Sequence, residues 1–309
     1  MMNKKTTIGE VAARWKKEKQ QYVKQSSFSA YELILENHVL PAFAKSKRLK
    51  EEDVQAFVLQ KLQSGLSQNT VKDMVVVLKM IQRFGVKNHL LDYQEWNIKY
   101  PTERMKQEPV VFSIAHQRKL MQHIQKNLTN RNLGILICLN TGMRIGEVCA
   151  LKWGDIDLNQ DVIRVTRTLE RIYLIEGERR HTQLILNTPK TKNSAREIPI
   201  SNNLLKSIRP LKKGTDDNHY MLTNDTKTIE PRIYRKYFKR LLQEIGLPEM
   251  KFHGLRHSFA TRCIESLCDY KTVSALLGHA NISTTLDLYV HPNLAQKKKC
   301  INRMLKGLE

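Results

Sequence analysis

Long hydrophobic runs are missing from this sequence. No uninterrupted apolar stretch is longer than the five residues of MVVVL at 74–78, whereas a membrane-spanning helix needs about 20 predominantly apolar residues. The first 21 residues also have no apolar core of the kind that marks a signal peptide. These absences argue against a membrane-spanning or secreted protein, and we expect the chain to be cytoplasmic.

Cysteine is scarce, and its pattern argues against two kinds of stabilising site. The chain has five cysteines, an odd number, and they form no C-x-x-C pair. This pattern suggests neither a disulfide framework nor a zinc site. We therefore expect reduced, mostly buried thiols at Cys138, Cys149, Cys263, Cys268 and Cys300.

Acidic residues are too few to balance the basic ones. The chain contains 52 Lys and Arg against 30 Asp and Glu, which gives a formal net charge of +22. The excess is not confined to a tail, because residues 1–100 alone hold 17 basic and 10 acidic residues. This distribution favours a polyanionic partner that contacts both parts of the chain, most commonly nucleic acid. A generally basic enzyme without such a partner is the alternative that charge alone leaves open.

The length of 309 residues exceeds a typical single domain. In the first hundred residues, apolar residues at helical spacing predict a bundle of four helices at 6–24, 29–43, 51–65 and 67–85. The second of these is expected to start at a Ser29 cap and to be broken at Pro41. Residues 96–110 contain two prolines and little periodicity, which predicts an interdomain linker. We therefore place an all-α domain at 1–104 and a second domain at 105–309.

The second domain is predicted to be α+β, mostly helical with a small antiparallel sheet. Helical patterns precede and follow a central region of alternating residues. That region predicts strands at 161–168, 183–191 and 195–201.

Three basic residues of this domain stand where helices are predicted to begin. In HGLRHSFAT, His253 and Arg256 are three residues apart, hence on one face, and both could meet one anion at the positive end of the helix. In TGMRIGE, Arg144 follows a Gly turn at which another helix begins. TPKTKNSAREIPI places Lys190 and Lys192 near the tip of a β-turn. Taken singly, each feature is more often a solvated cap or turn.

A further pattern lies near the carboxyl end, in LLGHANISTTLDLYVH. Gly278 is expected to close one helix, and Asn281 can cap the next. Tyr289 then lies ten residues after His279 on a short helix. An isolated tyrosine in such a helix would ordinarily be a core residue.

Together and in this order, these motifs resemble those of the tyrosine recombinase or phage integrase family: Arg144, a turn lysine, His253 with Arg256, His279 and Tyr289. The resemblance covers the whole second domain, and the helical bundle looks like that family's core-binding domain. The main departure is a longer strand region, ERIYLIEGERRHTQ, at 170–183.

The resemblance implies a catalytic set in which the arginines bind the scissile phosphate. Permanently charged guanidiniums suit the negative charge that builds on the non-bridging oxygens of an attacked phosphodiester. We assign Arg144 and Arg256 to that phosphate and expect His279 to donate a further hydrogen bond. A phenol with a pKa of about 10 needs a proton acceptor or a cationic surround, and His253 is expected to accept the proton of Tyr289.

Attack by Tyr289 would leave a 3′-phosphotyrosine and a free 5′-hydroxyl. Protonation of the leaving oxygen is a general-acid task that a mobile lysine can perform. The first lysine of the family's K-T-x-x-S-x-R turn corresponds to Lys190, while Lys192 stays open because hairpin length varies. The intermediate retains the bond energy, so neither ATP nor a metal nor another cofactor is expected, and no carboxylate cluster suggests a two-metal nuclease.

Other polar residues near these motifs are given structural interpretations. Glu147, Asp155 and Asp157 are interpreted as turn, cap or salt-bridge residues. His257 is expected to pack elsewhere, because it points roughly 100° away from Arg256 on a helix.

We therefore expect a site-specific DNA recombinase that integrates and excises a mobile element. Its partners would be double-stranded DNA, three further copies of the chain in a tetramer on paired sites, and possible accessory DNA-bending or directionality factors. The ten-residue interval from His279 to Tyr289 and the stretch TGMRIGEVCAL look more like those of mobile-element integrases. Many integrases carry an extra amino-terminal arm-binding domain, and its expected absence here leaves a chromosome-dimer resolvase open. A type IB topoisomerase-like enzyme or a catalytically silent DNA-binding regulator would also account for parts of this pattern.

Overall fold

A computed structural model describes residues 6–102, 110–177, 179–188 and 195–289, together with residues 298, 301, 302, 304 and 305. The chain divides into two compact units. Unit 1 consists of Met1–Lys106 and Arg171–Leu184, and unit 2 consists of Gln107–Glu170 and Ile185–Glu309. Within the described residues, no helix has both the length and the apolar character to cross a membrane.

Unit 1 is built on helices whose bounds are α1 Ile8–Tyr22, α2 Gln25–Ile34, α3 Leu40–Phe43, α4 Glu51–Gln63 and α5 Gln68–Lys87. The second helix differs from its prediction at both points. It starts at Gln25 rather than after a Ser29 cap, and a π-helical turn at Leu35–Val39 carries it into α3 without a break at Pro41. Pro41 lies in the first turn of α3, next to this π-helical turn, and the changed hydrogen-bond spacing there accommodates its missing N–H.

The core of unit 1 includes the predicted apolar stripe of α5, of which Val71, Met74, Val75, Leu78 and Ile81 are buried. The helix does not end at Gly85 but continues to Lys87. A Cβ at Gly85 would lie 2.5 Å from Leu91 Cδ1. A larger residue at this position would therefore displace the Leu91 side chain, which packs back against the helix.

The segment after α5 is not the free linker that its prolines and charges predict. The Trp96 ring is buried, and its Nε1 donates to Leu49 O at 2.9 Å. Gln55 bonds both the backbone N and O of Lys99, at 2.8 and 3.0 Å. Residues 96–101 thus belong to the helical unit, and 103–109 lie outside the described residues.

The unusually long strand region forms a hairpin of β3, Thr168–Glu176, and β4, Arg179–Asn187. Its middle portion clusters with unit 1. The buried Ser29 hydroxyl donates to Tyr173 O at 2.5 Å and accepts from Tyr173 N at 3.0 Å. The hairpin is therefore anchored on α2, and this explains why Ser29 is not a helix cap.

Unit 2 is mostly helical with a small antiparallel sheet, as predicted. Its helices are α6 Ile114–Lys126, α7 Asn130–Thr141, α8 Ile145–Ala150, α9 Asn202–Lys212, α10 Pro231–Ile245, α11 His253–Glu265, α12 Tyr270–Leu277 and α13 Ser283–Tyr289. The sheet has the order β1-β2-β5, where β1 is Ile156–Asp157, β2 is Val162–Val165 and β5 is Arg196–Pro199.

Register and burial place the sheet against the core of unit 2. Ile156 pairs with Ile163, which pairs with Ile198. All three side chains are buried. Helix α7 lies deeper still, with nearly every residue buried, and it packs against α11. The carboxyl end of α7 and the amino end of α11 are thereby brought together.

Candidate active site

The site begins at the glycine that ends α7. Gly142 has a left-handed conformation, with φ of +66°, and a Cβ there would lie 2.6 Å from Phe259 Cδ1. Both the backbone conformation and the available space therefore require glycine. The turn places Arg144 at the N-cap of α8, as the sequence predicts.

Arg144 is held by two parts of unit 2 while 37% of its side chain stays exposed. Its backbone N and its Nη1 donate to Glu147, at 2.8 and 2.9 Å. Its Nη2 donates to Gly278 O at 3.1 Å, across 134 residues of sequence. Because both of its Nη atoms are hydrogen-bonded, the partly exposed guanidinium is already ordered and can bind an anion without further ordering.

Glu147 lies between two arginines, in agreement with its interpretation as a cap and salt-bridge residue. Arg196 donates to its two carboxylate oxygens at 3.2 and 3.0 Å, and to Leu276 O at 2.6 Å. Burial by itself would raise the pKa of the Glu147 carboxyl, but hydrogen bonding and charge from Arg196, with the charge of Arg144, outweigh it and lower the pKa. The carboxylate therefore stays ionised and orients both guanidiniums.

Sequence reasoning missed Arg196 as part of this site. It is the arginine that ends the K-T-x-x-S-x-R pattern, so the signal was available. Its partner could not be identified from the sequence, because Glu147 lies 49 residues earlier.

Helix α11 contributes His253 and Arg256. Arg256 is 2% exposed, and its Nη1 donates to Gly142 O at 2.7 Å. Burial lowers the pKa of His253 to about 4, assisted by the charges of His257, Arg256 and Arg144. The imidazole is therefore neutral near pH 7 and has a nitrogen lone pair that can accept a proton.

His257 does not pack away from this group as expected. Its ring centroid lies 4.6 Å from that of His253, with the two rings nearly perpendicular. Residues four apart share a helix face, so the relation to His253, rather than to Arg256, decides where His257 lies. Burial, followed by the charge of Arg256, lowers its pKa as well.

His279 follows the left-handed Gly278 that ends α12. Its Nδ1 lies 2.8 Å from Thr285 Oγ1 on α13. Burial lowers the pKa of His279 to about 4, and the charges of Arg256, Arg144, Arg196 and His253 add to that effect. His279 is thus a second neutral imidazole surrounded by cations.

The helix that ends in Tyr289 is capped as predicted, because Asn281 Oδ1 accepts from Ser283 N at 2.9 Å. Helix α13 packs against α11 and α12. Tyr289 is its last residue, and the Tyr289 side chain lies outside the described part of the structure. Lys190 and Lys192 also lie outside the described residues.

The structure therefore brings together Arg144, His253, Arg256 and His279, and adds Arg196, Glu147 and Thr285. The guanidiniums of Arg144 and Arg196 pair with the Glu147 carboxylate, and Arg256 adds a third positive charge. Since His253 and His279 are neutral, the cluster carries excess positive charge. Such an arrangement is suited to a bound anion and to negative charge that develops during a reaction. In the described ranges, no group of three or more His, Cys, Asp or Glu could hold a metal ion.

Family models and curated relatives match most of this chain. The model of the phage integrase family matches residues 114–296, and the model of the phage integrase N-terminal SAM-like domain matches residues 7–67. A tyrosine recombinase XerC-like protein of Caldanaerobacter subterraneus subsp. tengcongensis is 29% identical over 307 residues, covering 91% of this chain and 78% of that protein. The ICEBs1 integrase of Bacillus subtilis is 24% identical over 304 residues, with the same two coverages.

Solved structures share the fold. The Tn1549 transposon integrase in complex with transposon right end DNA has a TM-score of 0.78 at 21% identity, covering 97% of this chain and all of that one. A lambda integrase tetramer bound to a Holliday junction has a TM-score of 0.63 at 15% identity, covering 93% of this chain and 78% of that one.

Proposed function

Since the chain belongs to the phage integrase family, an enzyme family that breaks and rejoins DNA, we propose that Tyr289 is its nucleophile and that Arg144, His253, Arg256 and His279 activate the scissile phosphate. The observation that carries this proposal is the convergence of these four side chains beside the helix that ends in Tyr289. The chain is a site-specific tyrosine recombinase, and its intermediate is a 3′-phosphotyrosine.

The two arginines bind the non-bridging oxygens of the phosphate. Each guanidinium has five N–H donors, so the bonds of Arg144 and Arg256 to backbone carbonyls leave donors for an anion. Charge-assisted bonds of this kind are about twice as strong as neutral ones. They strengthen further as negative charge builds in the transition state.

His253 accepts the proton of the attacking phenol. At physiological pH its imidazole is neutral, because its pKa is lowered to about 4 by burial and then by the charges of His257, Arg256 and Arg144. A bound phosphodiester adds negative charge, which favours the protonated imidazole and so raises this pKa toward the range needed for general-base catalysis.

Lys190 protonates the leaving 5′-oxygen, with Lys192 as the alternative. Both precede Arg196 in the segment between β4 and β5. Arg196 is bonded to Glu147, which also holds Arg144. In the sequence, Lys190 and Lys192 thus come six and four residues before an arginine of the phosphate-binding cluster.

We propose that the reaction integrates and excises a mobile element. In this proposal residues 1–104 form a core-binding domain, residues 105–309 form the catalytic domain, and both bind one DNA duplex. The support lies in relatives and neighbours named as the ICEBs1 integrase and the Tn1549 transposon integrase, the latter also solved with a circular intermediate DNA. Action as a tetramer on paired sites is supported by the lambda integrase tetramer on a Holliday junction. A chromosome-dimer resolvase is the second candidate, because other relatives are named XerC and XerD.

The test uses the junction sequences at the ends of the element that carries the gene. A duplex of this sequence, nicked so that the cleaved fragment diffuses away, should trap the full chain as a covalent adduct on the Tyr289 peptide. Tyr289→Phe should give no adduct, while Tyr270→Phe is the matched control, since Tyr270 is a partly exposed tyrosine of the same unit. DNA attached to the Tyr270 peptide, or an undiminished adduct from Tyr289→Phe, would contradict the assignment.

A further inference from the structure

The hydroxyl of Thr285 contacts Nδ1 of His279. In a neutral imidazole, protonation of Nδ1 decides whether the other ring nitrogen, Nε2, carries a proton. Thr285 is fully buried on α13, and its Oγ1 lies 2.8 Å from His279 Nδ1. A neutral imidazole has one N–H donor and one acceptor nitrogen, and the partner of one nitrogen sets the role of the other. The bond to Thr285 therefore bears directly on whether His279 can donate to a phosphate through Nε2.

The direction of this hydrogen bond follows from the surroundings of the hydroxyl. A buried hydroxyl must place its proton on an acceptor. Among the described residues, the hydrogen bond that Thr285 Oγ1 makes is the one to His279. Donation from Thr285 to Nδ1 satisfies the hydroxyl proton, makes Nδ1 the acceptor and places the imidazole proton on Nε2.

We propose that Thr285 is a positioning residue that fixes His279 in the Nε2–H tautomer, so that this nitrogen can donate to a non-bridging oxygen of the scissile phosphate. The inference rests on the proposed function of His279. The low pKa of His279, about 4, supports it, because only a neutral imidazole needs its tautomer selected.

Thr285 lies on the same helix as the proposed nucleophile. Thr285 and Tyr289 are four residues apart, one turn of the same helix. Docking of α13 against α11 and α12 therefore positions the helix that ends in Tyr289 and, in the same step, supplies the hydrogen-bond partner of His279. A subunit whose α13 is undocked would lack the hydrogen bond that selects the tautomer of His279.

The chain supplies a matched set of variants for the test. Thr285→Val keeps the shape but removes the hydroxyl, Thr285→Ser restores a hydroxyl, and Thr284→Val makes the same change at the adjacent, exposed threonine. In the full chain with ¹⁵N-labelled histidine, long-range ¹H–¹⁵N spectra report the tautomer of each imidazole, and loss of a signal in His279→Gln identifies His279.

We expect the Nε2–H tautomer of His279 in the wild type, in Thr285→Ser and in Thr284→Val, and loss of this preference in Thr285→Val. Cleavage of the nicked duplex should slow by about 10- to 100-fold in Thr285→Val, as when outer partners of metal-bound histidines are removed, and stay close to wild type in the other two. In the His279→Gln background, Thr285→Val should cause no further slowing.

An unchanged tautomer in Thr285→Val, or wild-type cleavage by that variant, would overturn the inference. The proposed function fails separately, by absence of any covalent adduct from the wild-type chain. In that case the spectra still decide whether Thr285 selects the tautomer of His279.

Discussion

Replacing Arg196 with Met should leave the Glu147 carboxylate without its main partner inside unit 2. The two side chains are only 7% and 4% exposed and form a double hydrogen bond. Removing one partner of a buried ion pair costs about 3–5 kcal/mol, because an uncompensated charge remains. Arg144 still pairs with the same carboxylate at 2.9 Å, so we expect a loss near the lower end, about 3 kcal/mol of unfolding free energy.

This loss should depend on pH, because Glu147 is ionised in the folded protein. Burial raises the pKa of its carboxyl, but Arg196 and Arg144 outweigh burial and hold the pKa below its unfolded value. Such a group contributes stability above the unfolded pKa and loses that contribution as the pH falls through the folded pKa. The variant lacks most of this contribution, so the wild-type advantage should be largest near pH 7 and shrink below about pH 4.

Denaturant unfolding followed by tryptophan fluorescence can measure this difference within unit 2. Trp153 is fully buried there, and Trp15→Phe with Trp96→Phe removes the other two tryptophans of the chain. The signal then reports the unit that contains the ion pair rather than the helical unit.

Arg164→Met is the matched control, since Arg164 lies on the neighbouring strand β2 and bridges Asp157 and Glu197 at the surface. Surface ion pairs contribute little to stability, so its loss should be much smaller. Arg196→Met destabilising no more than Arg164→Met, or by the same amount at about pH 7 and about pH 3, would refute the reasoning.

Two further predictions concern DNA. Binding to the target duplex should weaken steeply with salt, and Arg144→Ala should make the slope of log K against log salt shallower by about 0.9, the value for one phosphate contact; an unchanged slope in a binding titration would remove Arg144 from the phosphate. Sulfur in place of the 5′-bridging oxygen gives a leaving thiolate that needs little protonation, so this substrate should rescue cleavage by Lys190→Ala but not by Arg144→Ala. Rescue of Lys192→Ala, with Lys190→Ala cleaving the ordinary substrate normally, would move the general acid to Lys192.

Local sequence signals predict those parts of the site that depend on local geometry. Gly142 before Arg144, the three-residue spacing of His253 and Arg256, and the Asn281 cap each follow from rules about helix ends. The same rules predict that His253 and His257, four residues apart, share a helix face. The expectation that His257 packs elsewhere is wrong because it compares His257 only with Arg256.

Long-range pairings could not be predicted. Nothing in the sequence joins Arg196 to Glu147 or Ser29 to Tyr173, because no periodicity relates residues 49 or 144 positions apart. Residues 96–101 look like a linker because an extended segment has no helical period, yet the buried Trp96 anchors it. The helical segment that begins at Gln25 continues past Pro41 because the π-helical turn accommodates the proline, which rules for a simple helix do not foresee.

The two arginine–carbonyl bonds explain how motifs so far apart form one site. Arg256 donates to Gly142, two residues before Arg144, and Arg144 donates to Gly278, immediately before His279. Both glycines end helices in the left-handed conformation, where backbone carbonyls lack helical partners and carry partial negative charge. The guanidiniums satisfy these carbonyls and are thereby fixed before DNA binds, so little reorganisation opposes stabilisation of the transition state. Either glycine replaced by a larger residue would disturb the bond partner of a catalytic arginine, although neither glycine has a side chain to contribute to the chemistry.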